Sequence, residues 1–326
     1  MLILKILSIT AGILLGLYCV TGIGIFIALL KPSKPGKKRK YTNPEQIARE
    51  AIRDKNNAAF LEQNPEDVSI QSADGLTLRG YLLPAEKTAK RFAILVHGHR
   101  ANGLNEFTHM TPFYHETLGY NVLLPDHRAH GRSEGKWIGF AALDWPNINL
   151  WIKYLTARFG DDIEIILHGI SMGAATVMLV NNNNPPPQVK IVIEDCGFSS
   201  QKAELRSAAA MFLGKLEVLT VPAHYIAFAL QKVICGYSYK SSDPLSGMKN
   251  AKCPMLFVHG DADKFVHTRF VYELYEACPT PKKLFVVPDA IHAFSYYKDP
   301  EGYNKAIIEF FNKHLGSAYA NEPIGA

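Results

Sequence analysis

The sequence contains no H-E-x-x-H, no paired C-x-x-C and no evident internal repeat. Without those ligand spacings nothing in it supports a zinc centre. Cysteine is scarce. There are five, one inside an apolar N-terminal run and four scattered without motif spacing, a usage that fits a reducing compartment. Surplus charge is slight as well. The formal net charge is +5, and Lys5, Lys31, Lys34, Lys37, Lys38, Arg39 and Lys40 more than account for it, so the rest of the chain is slightly acidic. No basic face for nucleic acid follows from such a distribution. With 326 residues, 48% hydrophobic and 20% charged, the chain has no disorder signature and suffices for one large core.

One long uncharged run does occur. Residues 6–30 carry no charge over 25 positions, enough for a helix to cross about 30 Å of hydrocarbon. A cleaved signal peptide would be shorter and end in small residues. Tyr18 directly before Cys19 argues against a lipoprotein signal. Residues 1–30 therefore read as a single-pass cell-membrane anchor. The cations after it outnumber those before it, which by the positive-inside rule puts the remainder of the chain in the cytoplasm. The same cations suit anionic lipid head groups. Residues 31–64 read as a basic juxtamembrane linker with a short helix, Asn43 its cap, Pro44 its first position and Glu45 in its first turn.

Residues 65–326 form the third region. Short β-branched runs alternate there with helical segments, which implies an α/β fold with a mostly parallel sheet and helices on both faces. The last helix, near 303–315, offers Ile307, Ile308, Phe311 and Leu315 as a core face. The stretch between Phe198 and Cys253 is too long for a plain crossover. Its apolar runs 208–213 and 225–230, broken by Gly214 and Pro222, predict a helical cap at about 198–250 whose apolar residues line a pocket. Plain packing of those faces on the sheet is the alternative.

The most informative stretch is Gly169-Ile170-Ser171-Met172-Gly173. A β-branched run, 163–168, precedes it and an apolar, helix-compatible run follows. Serine on a sharp strand-to-helix turn is a nucleophile elbow, with glycines letting backbone pass close by. The bland alternative is a helix N-cap serine. The pattern alone is weak, since Gly131-Arg132-Ser133-Glu134-Gly135 also matches it. That second match follows a charged loop and precedes no apolar helix, so it reads as a surface turn.

A serine hydroxyl needs a histidine to take its proton, and the histidine needs a carboxylate. Downstream, an apolar strand ending at Gly260 leads into Asp261-Ala262-Asp263, and the strand 283–288 leads into a loop holding His292. Both lie past carboxyl ends of strands, where open α/β sheets place their chemistry. Asp261 and Asp195 compete with Asp263 for the acid. His97, His99, His127 and His130 lie near strand ends with Asp126, but without metal-ligand spacing.

On His97-Gly98-His99-Arg100, the segment 126–133, the Ser171 turn, Gly260-Asp261-Ala262-Asp263-Lys264-Phe265-Val266 and His292, residues 65–315 resemble the α/β-hydrolase superfamily. More narrowly, they resemble its bacterial membrane-anchored serine hydrolases with a BAAT-like or serine aminopeptidase-like domain. The resemblance implies the α/β-hydrolase fold, Ser171 as nucleophile, His292 as base and Asp263 as acid. It also implies an oxyanion hole from the backbone N–H groups of His99 and Met172, no cofactor and no metal. The expected activity is hydrolysis of an ester-type, lipid-like acyl bond. Acyl transfer, thioester cleavage or peptide cleavage on the same residues are the rivals within the class. A catalytically silent membrane interaction module is the rival outside it.

Overall fold

The computed structural model describes residues 1–33, 43–85 and 90–316. The cations Lys34, Lys37, Lys38, Arg39 and Lys40 lie outside the described residues.

The eight strands are β1 (Glu66–Gln71), β2 (Thr77–Leu83), β3 (Arg91–Val96), β4 (Asn121–Pro125), β5 (Glu164–Ile170), β6 (Val189–Asp195), β7 (Met255–Gly260) and β8 (Lys282–Val287). They form one sheet in the order β1-β2-β4-β3-β5-β6-β7-β8. The β1–β2 and β2–β4 pairings are antiparallel, and every other pairing is parallel. Strands β4 and β7 are buried along their whole length, as expected where helices cover both faces of a parallel sheet. One apolar cluster fills each face: Trp151, Val177 and Phe257 belong to the first, Tyr120, Tyr303 and Phe311 to the second. The chain runs from β3 outward to β4 and then back past β3 to β5. That reversal opens a crevice at the carboxyl ends of β3 and β5, the usual ligand site of such sheets.

Helix α1 (Leu2–Leu30) is apolar and long enough to cross a membrane. Residues 2–17 of it stand exposed, while Gly22, Phe26 and Leu30 are buried against the rest of the protein. The helix expected after Asn43 is α2 (Pro44–Glu62), 19 residues long. Asn43 Oδ1 accepts the Glu45 and Gln46 amides at 2.8 and 3.4 Å, satisfying two of the donors every helix start leaves open. This helix does more than space two parts: Arg49 pairs with Glu106 at 2.7 Å, and Phe60 is buried beside Tyr81.

Short α3 (Gly103–Phe107) follows β3, α4 (Trp145–Phe159) precedes β5, and α5 (Met172–Asn182) leaves β5 and is buried throughout. The long insertion forms α6 (Gln201–Leu213), a 3-10 turn (Gly214–Thr220) and α7 (Val221–Cys235). Its apolar side chains divide differently from the expected pocket lining. Ala227 and Phe228 are buried, but Met211, Phe212 and Leu213 face outward. In the last helix, Pro300–Leu315, the buried face is Tyr303, Ala306, Ile307, Phe310 and Phe311, with Ile308 and Leu315 half-buried beside it.

Candidate active site

Ser171 sits between β5 and α5 at φ 57°, ψ −114°, a backbone state that costs a non-glycine residue on the order of 1–3 kcal/mol. Both flanking glycines are required by space. A Cβ on Gly169 would overlap the Gly173 carbonyl, and one on Gly173 would overlap the Val96 carbonyl at the end of β3. Ser171 does occupy the N-cap position of α5, yet its side chain makes no capping bond. Its Oγ lies 3.0 Å from His292 Nε2 instead. The other pattern match behaves as a turn: Ser133 Oγ donates to the Asp126 carbonyl at 2.7 Å and accepts the Arg79 amide at 2.8 Å.

His292 Nδ1 lies 2.7 Å from Asp263 Oδ2. Asp263 is held by its own loop, Oδ1 accepting the Phe265 and Val266 amides at 2.9 Å each. Burial disfavours charge on both partners. Their mutual attraction and hydrogen bond outweigh it, lifting the His292 pKa above the ordinary imidazole value and holding Asp263 well below the usual carboxylate range. The site thus keeps an ionised acid behind a histidine able to carry a proton.

The rival acids go elsewhere. Asp261 Oδ1 accepts the Asp289 amide at 2.7 Å, closing a loop. Asp195 is buried, pushed up to about 6 by desolvation, and accepts from Tyr303 Oη at 3.0 Å and Ser295 Oγ at 3.3 Å.

The loop after β3 abuts the nucleophile: a Cβ on Gly98 would lie 3.3 Å from Ser171 Cβ. His99, next along, turns its ring to α1, Nε2 donating to the Leu29 carbonyl at 2.8 Å. Met172 is the first residue of α5, so its N–H has no acceptor within the helix, and the positive helix end faces the same space.

The other histidines are structural. His97 Nε2 accepts the His127 amide at 2.9 Å while Nδ1 donates to the Gly98 carbonyl at 2.8 Å. His130 Nε2 accepts the Arg100 amide at 2.9 Å and Nδ1 donates to the Arg128 carbonyl. Burial keeps both neutral by lowering their pKa values, and their ring nitrogens are committed to backbone. His168 bridges Tyr114 Oη and Tyr303 Oη at 2.8 and 2.9 Å. Among the described residues, Cys196, Asp263 and His292 could meet around an ion, but His292 is engaged with Ser171 and Asp263 with His292, and burial pushes the Cys196 thiol pKa upward.

Two neighbours had no sequence signal. His259, at the end of β7, is 3.4 Å from Asp263 Oδ2 and donates from Nε2 to the Val266 carbonyl at 2.9 Å. Glu204 of α6 is buried, with Oε2 unpartnered, and desolvation lifts its pKa to about 8. A cleft of about 810 Å³ lies between α6 and the 261–269 loop. Its lining mixes Ala203, Ala210 and Met211 with Lys202, Arg206 and Lys264, so it is less apolar than an acyl pocket was expected to be.

The sequence profile of the alpha/beta hydrolase family matches residues 93–306, which hold all of these groups. The chain belongs to this family. Among hydrolases of known fold, an esterase of Pyrococcus furiosus superposes with a TM-score of 0.61 at 21% identity, covering 88% of this chain and 99% of that one. The ferulic acid-bound Est1E of Butyrivibrio proteoclasticus gives 0.56 at 18%, covering 77% of this chain and 100% of the other. In sequence, this hydrolase is 30% identical over 243 residues to the uncharacterized protein YqkD of Bacillus subtilis, covering 74% of this chain and 78% of YqkD. It is 24% identical over 254 residues to YfhR of Escherichia coli K12, covering 75% of this chain and 80% of YfhR.

Proposed function

We propose that this hydrolase cleaves ester-type acyl bonds through an acyl-enzyme on Ser171. The observation that carries the reading is the unbroken chain Ser171 Oγ, His292 Nε2, His292 Nδ1, Asp263 Oδ2, with gaps of 3.0 and 2.7 Å. Oγ attacks the carbonyl carbon as His292 Nε2 takes its proton, and the carbonyl π electrons move onto oxygen. The Met172 and His99 amides hold that oxyanion, each such donor contributing on the order of 3 kcal/mol. Collapse expels the alcohol, which receives the proton from His292. Water, deprotonated by the same nitrogen, then attacks the acyl-enzyme; collapse breaks the bond to Ser171 Oγ, which takes the proton back from His292, and the carboxylic acid is released. Asp263 stays ionised throughout and compensates the imidazolium.

Turnover of a graded panel of p-nitrophenyl esters by the full chain tests this. Ser171→Ala should reduce it to background. Asp263→Asn should lower kcat by about 10⁴, the loss typical of a triad acid. Asp261→Asn and Asp195→Asn should leave it within about tenfold, since neither carboxylate reaches His292. A collapse caused by Asp195→Asn alone, in a variant that still folds, would transfer the acid role.

The partners follow from the same reading: a small acyl ester as substrate, and membrane lipid through α1 and the basic segment after it. The excess of cations on the carboxyl side of α1 supports a cytoplasmic catalytic domain. Protease added to intact cells should then leave the domain uncut, and digestion would reverse the orientation.

A further inference from the structure

Six apolar side chains at the end of α6 and in the turn after it, Met211, Phe212, Leu213, Leu216, Val218 and Leu219, are exposed, Phe212 to 80%. A patch of that kind marks a partner surface, and the element beside it identifies the partner. Helix α7 packs along α1 and runs in the same direction. Near its start, a Cβ on Gly22 would lie 2.7 Å from Ile226 Cβ and 2.9 Å from the Ala223 carbonyl. Past its end, Tyr237 Oη donates to the Ile138 carbonyl at 2.7 Å, and the Ile138 amide donates to the Leu30 carbonyl at 2.9 Å. The turn leading into α7 therefore points back along α1 toward its N-terminus.

Depth follows from length. Lys5 is the last charge before the uncharged run. Counted from Ile6, roughly 20 residues at about 1.5 Å each cross about 30 Å of hydrocarbon, which brings the boundary close to Ile25. Gly22 lies inside that boundary, and the exposed turn lies deeper than the Gly22 contact. Leu29, whose carbonyl accepts the His99 ring, lies only about 6 Å beyond Ile25 along the helix. The loop that borders Ser171 is thus held at the level of the lipid head groups.

We propose that residues 211–219 are seated beside α1 in the leaflet that borders the catalytic domain, and that the hydrolase takes its acyl ester from that interface rather than from bulk water. The second half rests on the hydrolase reading above; the first half does not. The charges in the turn fit an interfacial seat. Glu217 is paired with Arg206, and the exposed Lys215 has a stem long enough to carry its ammonium to the head groups.

The test uses the full chain in phosphatidylcholine–phosphatidylglycerol vesicles, with the two half-exposed cysteines Cys19 and Cys235 changed to Ala and the three buried ones kept. A single environment-sensitive fluorophore is placed by Leu14→Cys, Phe212→Cys, Leu219→Cys or Asp161→Cys, and is challenged with lipids nitroxide-labelled either high or low on the acyl chain. Quenching at 14, 212 and 219 but not at 161 is expected. Quenching at 14 alone would leave the anchor in place and overturn the proposal, whether or not 212 and 219 cross-link between copies. Quenching at none would overturn the anchor as well.

For the second half, the double variant Phe212→Asp, Leu219→Asp should lose at least about tenfold in turnover of a vesicle-borne ester, two apolar side chains that the proposal seats in lipid having been replaced by charges. Hydrolysis of a short soluble ester should be unchanged. Equal loss on both substrates, or loss on neither, would reject uptake from the interface. Should wild type hydrolyse no ester at all, the hydrolase reading fails while the quenching result still stands.

Discussion

Ser171 stands where a helix ordinarily takes a capping hydroxyl, yet its Oγ is turned to His292 at the cost of a strained backbone. A plain cap would have had no need of the strain. The pairing makes a pH prediction whose sign can be worked out. General-base action requires neutral His292, whose pKa is raised above the ordinary imidazole value because Asp263 favours the charged form more than burial disfavours it. The acidic limb of kcat/KM should therefore turn over above about pH 6.5, the unperturbed histidine value. In Asp263→Asn the attraction is lost while burial remains, so the limb should move to lower pH as the plateau falls. An unmoved limb would mean that Asp263 does not act on His292. Ser171, Asp263 and His292 were legible in sequence because each follows a strand end in a recognisable setting. His259 was not. It reads as one more residue of an apolar strand, and only the fold brings it to Asp263.

The strand–turn–helix around Ser171 is set by two spaces that only hydrogen can fill. Gly173→Ala would press a methyl against the Val96 carbonyl, and backbone on a central strand has no rotamer by which to yield. The variant should lose at least about 4 kcal/mol of stability, the far tail of single substitutions, read as a depressed Tm together with lost turnover. A Tm near wild type would show that the elbow is looser than its geometry implies. Sheet and helices were readable because buried parallel strands are continuous apolar runs. The cap was readable as helices but not in the direction of its faces. Runs such as 208–213 look the same in sequence whether they meet a sheet, a pocket or lipid, so Phe212 was expected inward and stands outward.

Across the whole molecule, the segments before the catalytic domain are part of its surroundings rather than an appendage. Arg49 of α2 pairs with Glu106, whose Oε2 would lie 3.5 Å from a Cβ on Gly98, and α1 reaches His99 and Arg100 through the carbonyls of Leu29 and Ala28. None of this could be read from sequence. Helix α1 is apolar on every side, and a uniformly apolar helix carries no stripe to show which face will dock. The domain's α/β class, by contrast, followed from alternation alone.

The claim on which the account depends is that Ser171 is an activated nucleophile, and covalent capture tests it directly. The full chain in membranes would be treated with a fluorophosphonate, digested, and the modified peptide identified by mass. The account predicts one phosphonylated residue, Ser171, with labelling abolished in Ser171→Ala and in His292→Ala. Labelling that persists in Ser171→Ala, or that falls on Ser133, would contradict it.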